Sequence, residues 1–335
     1  VYGMLHGIQG LLEEKYLDLS DYIQTGLDVE LLKRTPAAFL GSCRYKLPEI
    51  HQDKELYEKI FAILDKLDIE AFIYIGGNDS MDTIKKLSDY AIVTGHTTRF
   101  IGCPKTIDND LALTDHTPGF GSAAKYIGTS MKEIIRDSFC LEYSKGLVTI
   151  VEIMGRNAGW LTGSAALSKC EDCDGPDMIY LPEVPFHTEE FLLDVKRLLF
   201  ERNNVIIAVS EGIRDADGNY ISASETSVDN FGHSQLSGAG KTLEHLVKEK
   251  LGVKVRSIEV NVLQRCAAHL ASQTDLDESV MLGRKAVMLS EEGVTASMVV
   301  LNRTSNVPYT VTYDYAEIKN IANEAKSVPT EWIND

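Results

Sequence analysis

One alternation constrains the fold of this chain more than anything else. Short apolar, β-branched runs recur between longer stretches patterned as amphipathic helices. Ala71-Phe72-Ile73-Tyr74-Ile75 predicts a buried strand that runs straight into Gly76-Gly77, with a helical pattern over 80–87 behind it. Residues 90–93, 99–102, 146–153 and 204–209 read as further strands, and 57–67, 121–136, 188–200 and 240–251 as helices. In the first of these helices Ile60, Phe61, Ile63, Leu64 and Leu67 make one apolar face. Strands separated by helices imply parallel sheets in an α/β architecture. Ligands of such sheets bind beyond the carboxyl ends of the strands, so the residues that follow each apolar run carry the functional information.

A chain of 335 residues exceeds one ordinary domain and suggests two. With 44% hydrophobic and 25% charged residues it is globular in composition, and no internal repeat or low-complexity tract interrupts it. No apolar run approaches the roughly 18 residues of a membrane span. The opening Val1-Tyr2-Gly3-Met4-Leu5-His6 lacks the basic start and apolar core of a signal peptide. Of six cysteines only Cys170 and Cys173 have ligand-like spacing; reduced thiols in a cytoplasmic protein are the expectation. Starting at Val1 and stopping at Asp335, the sequence reads as a piece of a longer protein. A net charge of −17 excludes nucleic acid as a partner, because phosphate backbones need a cationic footprint. It also sets a requirement: an anionic substrate here would need local cations or a divalent metal.

Four strand ends carry unusual residues. Gly76-Gly77-Asn78-Asp79-Ser80 could cradle an anion at a helix start, or be a tight turn. Pro104-Lys105-Thr106-Ile107-Asp108-Asn109-Asp110 sets two carboxylates at i and i+2, three residues after a lysine. Such a pair repels itself, so one member should have a raised pKa or meet a cation, as suits a general base; an Asx-rich capping turn is the alternative. Met154-Gly155-Arg156 presents an arginine that could clamp a phosphoryl group or make a salt bridge between domains. Ser210-Glu211-Gly212 offers a carboxylate to sugar hydroxyls or to a helix start.

Each is ambiguous alone, but the ordered set resembles the phosphofructokinase family. That family has a glycine loop of Gly-Gly-Asp-Gly-Ser type, a Thr-Ile-Asp-Asn-Asp loop, a Met-Gly-Arg loop and a later Glu-Gly. The likeness runs from about Gly41 to Arg265. It implies two doubly wound, mostly parallel-sheet domains with the active site in the cleft between them. One domain is expected to comprise residues 1–120 with about 264–312, the other 121–263 with about 313–335. The implied reaction is phosphoryl transfer to the 1-hydroxyl of fructose 6-phosphate, with magnesium as cofactor and a homo-oligomer, dimer or tetramer, as assembly. Carried across, Asp108 is the base, Thr106 and Asp110 position substrate and metal, and Arg156 stabilises the phosphoryl in flight. Met154, Gly155 and Glu211 face the sugar, and Arg256 and Arg265 stand at the spacing of the arginines that grip its 6-phosphate. Gly76, Gly77, Asp79, Ser80, Lys105 and Arg44 belong to the donor site, and Asp108, Asp110 and Asn78 to the metal.

Two positions speak to the donor. Users of ATP in this family typically have glycine where Asp79 and Lys105 stand. A carboxylate there would repel the α-phosphate of a nucleotide: two unit charges about 4 Å apart cost roughly 4 kcal/mol at an effective dielectric of 20. Lys105 supplies an ammonium for pyrophosphate instead, so the resemblance is to the pyrophosphate-dependent branch. Departures from the family pattern are Asn78 in place of a metal-contacting aspartate, Asn261-Val262 in place of Gly-His or Gly-Tyr, and Leu147 in place of a cross-subunit arginine. The family's first strand and its phosphate loop are expected upstream of Val1. The competing readings are an ATP-dependent kinase of the same fold, a catalytically weak regulatory subunit, and a distant lipid or NAD kinase.

Overall fold

The computed structural model describes residues 1–35, 37–141, 143, 145–221 and 238–334, so the stretch 222–237 of the expected second domain lies outside the described residues. A small antiparallel ribbon, β1 (Tyr2–Met4) and β2 (Tyr16–Asp18), encloses helix α1 (Gly7–Leu12) and leads through α2 (Leu19–Tyr22) and α3 (Gly26–Arg34). Helix α4 (Lys54–Lys66), strand β3 (Ala71–Gly76), helix α5 (Asn78–Thr94) and strand β4 (Arg99–Pro104) follow. A long loop then reaches α6 (Phe120–Phe139), and β5 (Leu147–Ile153) opens a second alternating series. It continues with α7 (Trp160–Gly163), β6 (Met178–Tyr180), α8 (Thr188–Glu201), β7 (Asn204–Ser210), α9 (Ala239–Leu251) and β8 (Lys254–Glu259). After α10 (Leu263–Cys266) the chain returns through α11 (Gln273–Glu291) to the hairpin β9 (Ser297–Asn306) and β10 (Tyr309–Glu317).

Two four-stranded sheets result. The first has the order β10-β9-β4-β3, parallel except for its β10 edge; the second, β6-β7-β5-β8, is parallel throughout. Strand alternation divides each sheet between two apolar layers. Phe100, Met298 and Val300 face one layer with Ile60, Leu64, Ile84 and Leu87, while Ile101, Val299 and Leu301 face the other with Leu282 and Leu289. In the second sheet Val148, Ile150, Val205 and Ile207 point to one side, and Val151, Ile153, Ile206 and Ala208 to the other. Burial of each such side chain is worth about 1.5–3 kcal/mol, which explains why helices must cover both faces of each sheet. This is the expected doubly wound α/β architecture.

Two expectations need correction. Residues 90–93 are not a strand but the last turn of α5. Tyr90 and Ala91 are buried against α4, whereas Ile92 and Val93 are exposed, the period of a helix rather than a strand. The helix stops at Gly95, whose φ of 71° supplies a left-handed cap. A four-residue apolar run cannot distinguish the two by itself. The second correction concerns the tail. β10 pairs with β9 from Tyr309 to Glu317, and Ile318, Ile321 and Ala322 join the core of the first sheet. Residues 313–322 therefore belong to the first body, because the hairpin partner is adjacent in sequence and its apolar positions follow.

Helix α6 is fixed at its start by a residue from far along the chain. The carboxylate of Asp275, in the first turn of α11, accepts the N–H of Gly119 at 2.9 Å, the N–H of Ser122 at 3.1 Å and its hydroxyl at 2.5 Å. Asp275 thereby supplies the cap that Gly119 has no side chain to provide. No described helix is long and apolar enough to cross a membrane.

Candidate active site

The carboxyl ends of the two sheets present their loops to one another. In the first sheet, β3 runs into α5 through Gly76-Gly77. A side chain at Gly76 is excluded, since a Cβ there would lie 2.0 Å from the Ser80 hydroxyl oxygen. Asn78 and Asp79 occupy the first turn of α5, beside the helix's unpaired N–H groups. Next to it, β4 feeds the loop with the paired carboxylates, and the Lys105 N–H donates to the Gly76 carbonyl at 2.9 Å.

That loop is braced by polar bonds. Thr106 donates its N–H to the Pro118 carbonyl at 3.2 Å and accepts the Thr117 hydroxyl on its own carbonyl at 2.7 Å. Asn109, buried and left-handed with φ 55°, accepts the Thr117 N–H on Oδ1 at 3.1 Å. Its capping role is thus internal to the loop, and Asp108 and Asp110 are left partly buried on either side. The Asp108 N–H reaches Thr106 Oγ1 at 3.1 Å.

From the second sheet come Met154, Gly155 and Arg156 after β5, Glu211 after β7, and the segment with Asn261 and Gln264 after β8. Gly212 packs where a Cβ would sit 2.1 Å from the Arg156 carbonyl oxygen, so glycine alone lets these two loops meet. Glu211 accepts the Gly155 N–H at 3.5 Å, and Gln264, 2% exposed, accepts the Met154 N–H at 3.2 Å. A cleft lined by Glu152, Met154, Glu211, Glu259, Asn261 and Gln264 opens there. The Nε of Arg156 is buried without a hydrogen-bond partner.

Electrostatics tie the two halves together. Burial pushes the Asp108 carboxyl up, opposed by its bond to Thr106 and by the charges of Arg156, Lys105 and Arg265. Asp110 is pushed up to about 6 by burial and by Asp108, against the Asn78 amide and Lys326. Glu211 rises to about 7, chiefly by burial, with Asp108 and Glu152 adding to it and Arg156 opposing. One carboxylate of the first body, Asp108, therefore shares a cation, Arg156, with one of the second, Glu211. The cations that an acidic chain needs are concentrated here: Lys105, Arg156 and Arg265.

One expected residue lies elsewhere. Arg256 sits on β8 opposite Thr149, in the middle of β5 rather than at its carboxyl end, and pairs with Asp137 at 3.2 Å. Within one chain it does not reach the other site residues. Arg44 is on an exposed loop whose start, Gly41, packs on the ring of His6. Gln264, Trp160, Glu183 and Lys326 were not foreseen. Lys326 places its ammonium against the carbonyl oxygens of Thr114 and Asp115 at 2.9 and 2.7 Å, and burial pulls it down to about 8, against the charges of Asp115 and Asp110. Only its place in the fold marks it, since the run Asn323-Glu324-Ala325-Lys326 has no motif.

The fold and the site define a phosphoryl-transfer enzyme built on two doubly wound sheets. The chain belongs to the phosphofructokinase family, whose sequence model matches residues 1–289. It is 39% identical over 328 residues to a protein named pyrophosphate–fructose 6-phosphate 1-phosphotransferase from Xanthomonas campestris, covering 98% of this chain and 78% of that one. Crystal structures of pyrophosphate-dependent phosphofructokinases from Nitrosospira multiformis and Marinobacter aquaeolei superpose with TM-scores of 0.87 and 0.86 at 31% and 34% identity. Each alignment spans all of this chain and 78% of the other.

Proposed function

We propose that this protein transfers a phosphoryl group reversibly from pyrophosphate to the 1-hydroxyl of fructose 6-phosphate, giving fructose 1,6-bisphosphate and phosphate. The observation that carries the donor is the seam between Gly76 and Lys105, which sets Asp79 and Lys105 on adjoining loops. A carboxylate excludes the α-phosphate of a nucleotide, and an ammonium attracts the smaller anion. Two of the most similar solved structures are themselves named as pyrophosphate-dependent.

In this reading Asp108 takes the proton of the attacking hydroxyl, and its raised pKa suits a base. Thr106 and Asp110 hold the loop and the substrates, Arg156 meets the charge on the transferring group, and Glu211 accepts sugar hydroxyls beside Met154 and Gly155. Arg265 binds the 6-phosphate, and Arg256 serves a neighbouring subunit, which makes the working form a homo-oligomer in the cytoplasm. Gly76, Gly77, Ser80 and Arg44 complete the donor side.

Magnesium is the proposed cofactor, and the residues present fit it. Asn78 Oδ1 is buried without a hydrogen-bond partner, and the Asn78 amide lies near enough to Asp110 to lower its pKa, so a hard-oxygen set of Asp108, Asp110 and Asn78 is available. Among the described residues no group of three or more His, Cys, Asp or Glu is arranged for a metal. Such a sparse set suits an ion that keeps waters and phosphate oxygens in its shell, and when bound it would neutralise charge on the phosphates. A coupled assay at fixed fructose 6-phosphate, with pyrophosphate or ATP as donor, tests the reading. Turnover with pyrophosphate alone is expected, and preference for ATP would overturn it.

A further inference from the structure

The loop that carries Asp108 and Asp110 is long and irregular, with Leu111 as its one member of the first sheet's apolar core. Its geometry must therefore come from polar bonds, and those converge on a strap, residues 323–328, that touches both bodies. At one end Asn323 donates to Asp82 Oδ1 at 2.9 Å, and Asn78 donates to the Glu324 carbonyl at 3.2 Å. Ala325 bridges Leu111, and the Lys326 N–H donates to the Asp110 carbonyl at 2.8 Å. At the other end the Trp160 indole N–H donates to the Lys326 carbonyl at 2.8 Å. The Val328 N–H reaches Glu183 Oε1 at 2.9 Å, an oxygen that also accepts the Gly159 N–H at 2.7 Å. Gly159 and Trp160 end the loop that begins with Arg156.

Lys326 is the centre of this arrangement. Its N–H holds the base loop, its carbonyl holds the arginine loop, and its ammonium enters the base loop. There it donates to the carbonyls of Thr114 and Asp115, with Asn109 Oδ1 at 3.4 Å and the Trp160 ring centroid at 5.5 Å. An alkyl chain in its place would leave those buried acceptors unpaired and free the loop to shift.

We propose that residues 323–328 are a strap that sets the Asp108 loop against the Arg156 loop, with Lys326 as a positioning residue for phosphoryl transfer. The proposal rests on the phosphoryl-transfer reading above. Displacement of a reacting group by about 1 Å can cost about a hundredfold in rate without a change in what is bound. Lys326→Met in the full chain is therefore expected to lower kcat by about a hundredfold, in both reaction directions. KM for fructose 6-phosphate and for pyrophosphate should stay within about threefold, and Lys326→Arg should recover part of kcat. Retained kcat in Lys326→Met overturns the proposal. So does a fall in kcat matched by a rise in both KM values and a loss of thermal stability, which marks a merely structural lysine. Should Lys326→Met not fold, Trp160→Phe keeps an aromatic ring and removes the N–H to the strap. A kcat lowered about tenfold at constant KM supports the strap, and an unchanged kcat overturns it. The unaltered chain measured in parallel separates the two readings: no transfer from pyrophosphate to fructose 6-phosphate there defeats the phosphoryl-transfer reading itself, whereas an active chain whose strap variants keep their kcat defeats the strap alone.

Discussion

The Lys105 N–H donates to the Gly76 carbonyl at 2.9 Å, continuing the β3–β4 ladder one step past the paired Gly76 and Pro104. The bond carries the glycine loop and the base loop as one unit. In the proposed reading, side chains at positions 79 and 105 thus act on the same bound donor. Replacing both Asp79 and Lys105 by glycine removes the repulsion and the attraction together. The double variant is expected to accept ATP and to lose most of its preference for pyrophosphate, read as the ratio of kcat/KM for the two donors. An unchanged ratio would show that donor choice is made elsewhere.

Asp108→Ser removes the proposed base and leaves the sugar site intact. Turnover should fall by about a hundred- to ten-thousandfold, the usual contribution of a positioned base, while KM for fructose 6-phosphate moves little. Steady-state kinetics in both directions would check this. A variant with normal kcat would take Asp108 out of the reaction.

Glu211 gives a pH signature. Its carboxyl is pushed up to about 7 by burial first, with Asp108 and Glu152 adding to the rise. Below that pH it is protonated and accepts sugar hydroxyls poorly, so kcat/KM for fructose 6-phosphate should decline as pH falls through about 7. In Glu211→Gln that limb should flatten, with kcat/KM lower by about ten- to a hundredfold, since hydrogen bonds to a charged group are worth about 1.5–3 kcal/mol. An identical pH profile in the variant contradicts the assignment.

His116 predicts a stability effect away from the chemistry. Burial disfavours its charged form, but Glu278 at 2.7 Å and Asp115 at 2.8 Å more than offset this, and the net shift is upward. A histidine with a raised folded-state pKa contributes stability that is fully present below the unfolded value and is lost as pH rises through the folded one. His116→Gln should therefore lower the thermal midpoint more at pH 6 than at pH 8.5, checked by unfolding at both. Equal losses at the two values would mean that the ring acts by packing alone.

Much of this protein was legible in its residue order, and the reason is locality. Each apolar run with the loop behind it is a contiguous piece of chain, so the strands around Ile75, Gly102, Ile153 and Val209, and the loops after them, could be located without knowledge of the fold. The joint role given to Asp79 and Lys105 came instead from the family resemblance, and the Gly76–Lys105 bond sets the two residues on adjoining loops. Residues 90–93 were misread because their helical state depends on Tyr90 and Ala91 packing on α4, and a short apolar run is silent about its neighbours. Only the tertiary structure moved residues 313–322 into the first body, separated Arg256 from the cleft within one chain, and brought Asp275 to the start of α6. It alone placed Lys326 between the Asp110 carbonyl and the Trp160 indole, contacts made across more than a hundred residues through the backbone N–H and carbonyl of the lysine, which carry no sequence signal. Side-chain chemistry at the strand ends is written locally; which loops meet, and what holds them apart, is decided by the packing of two sheets.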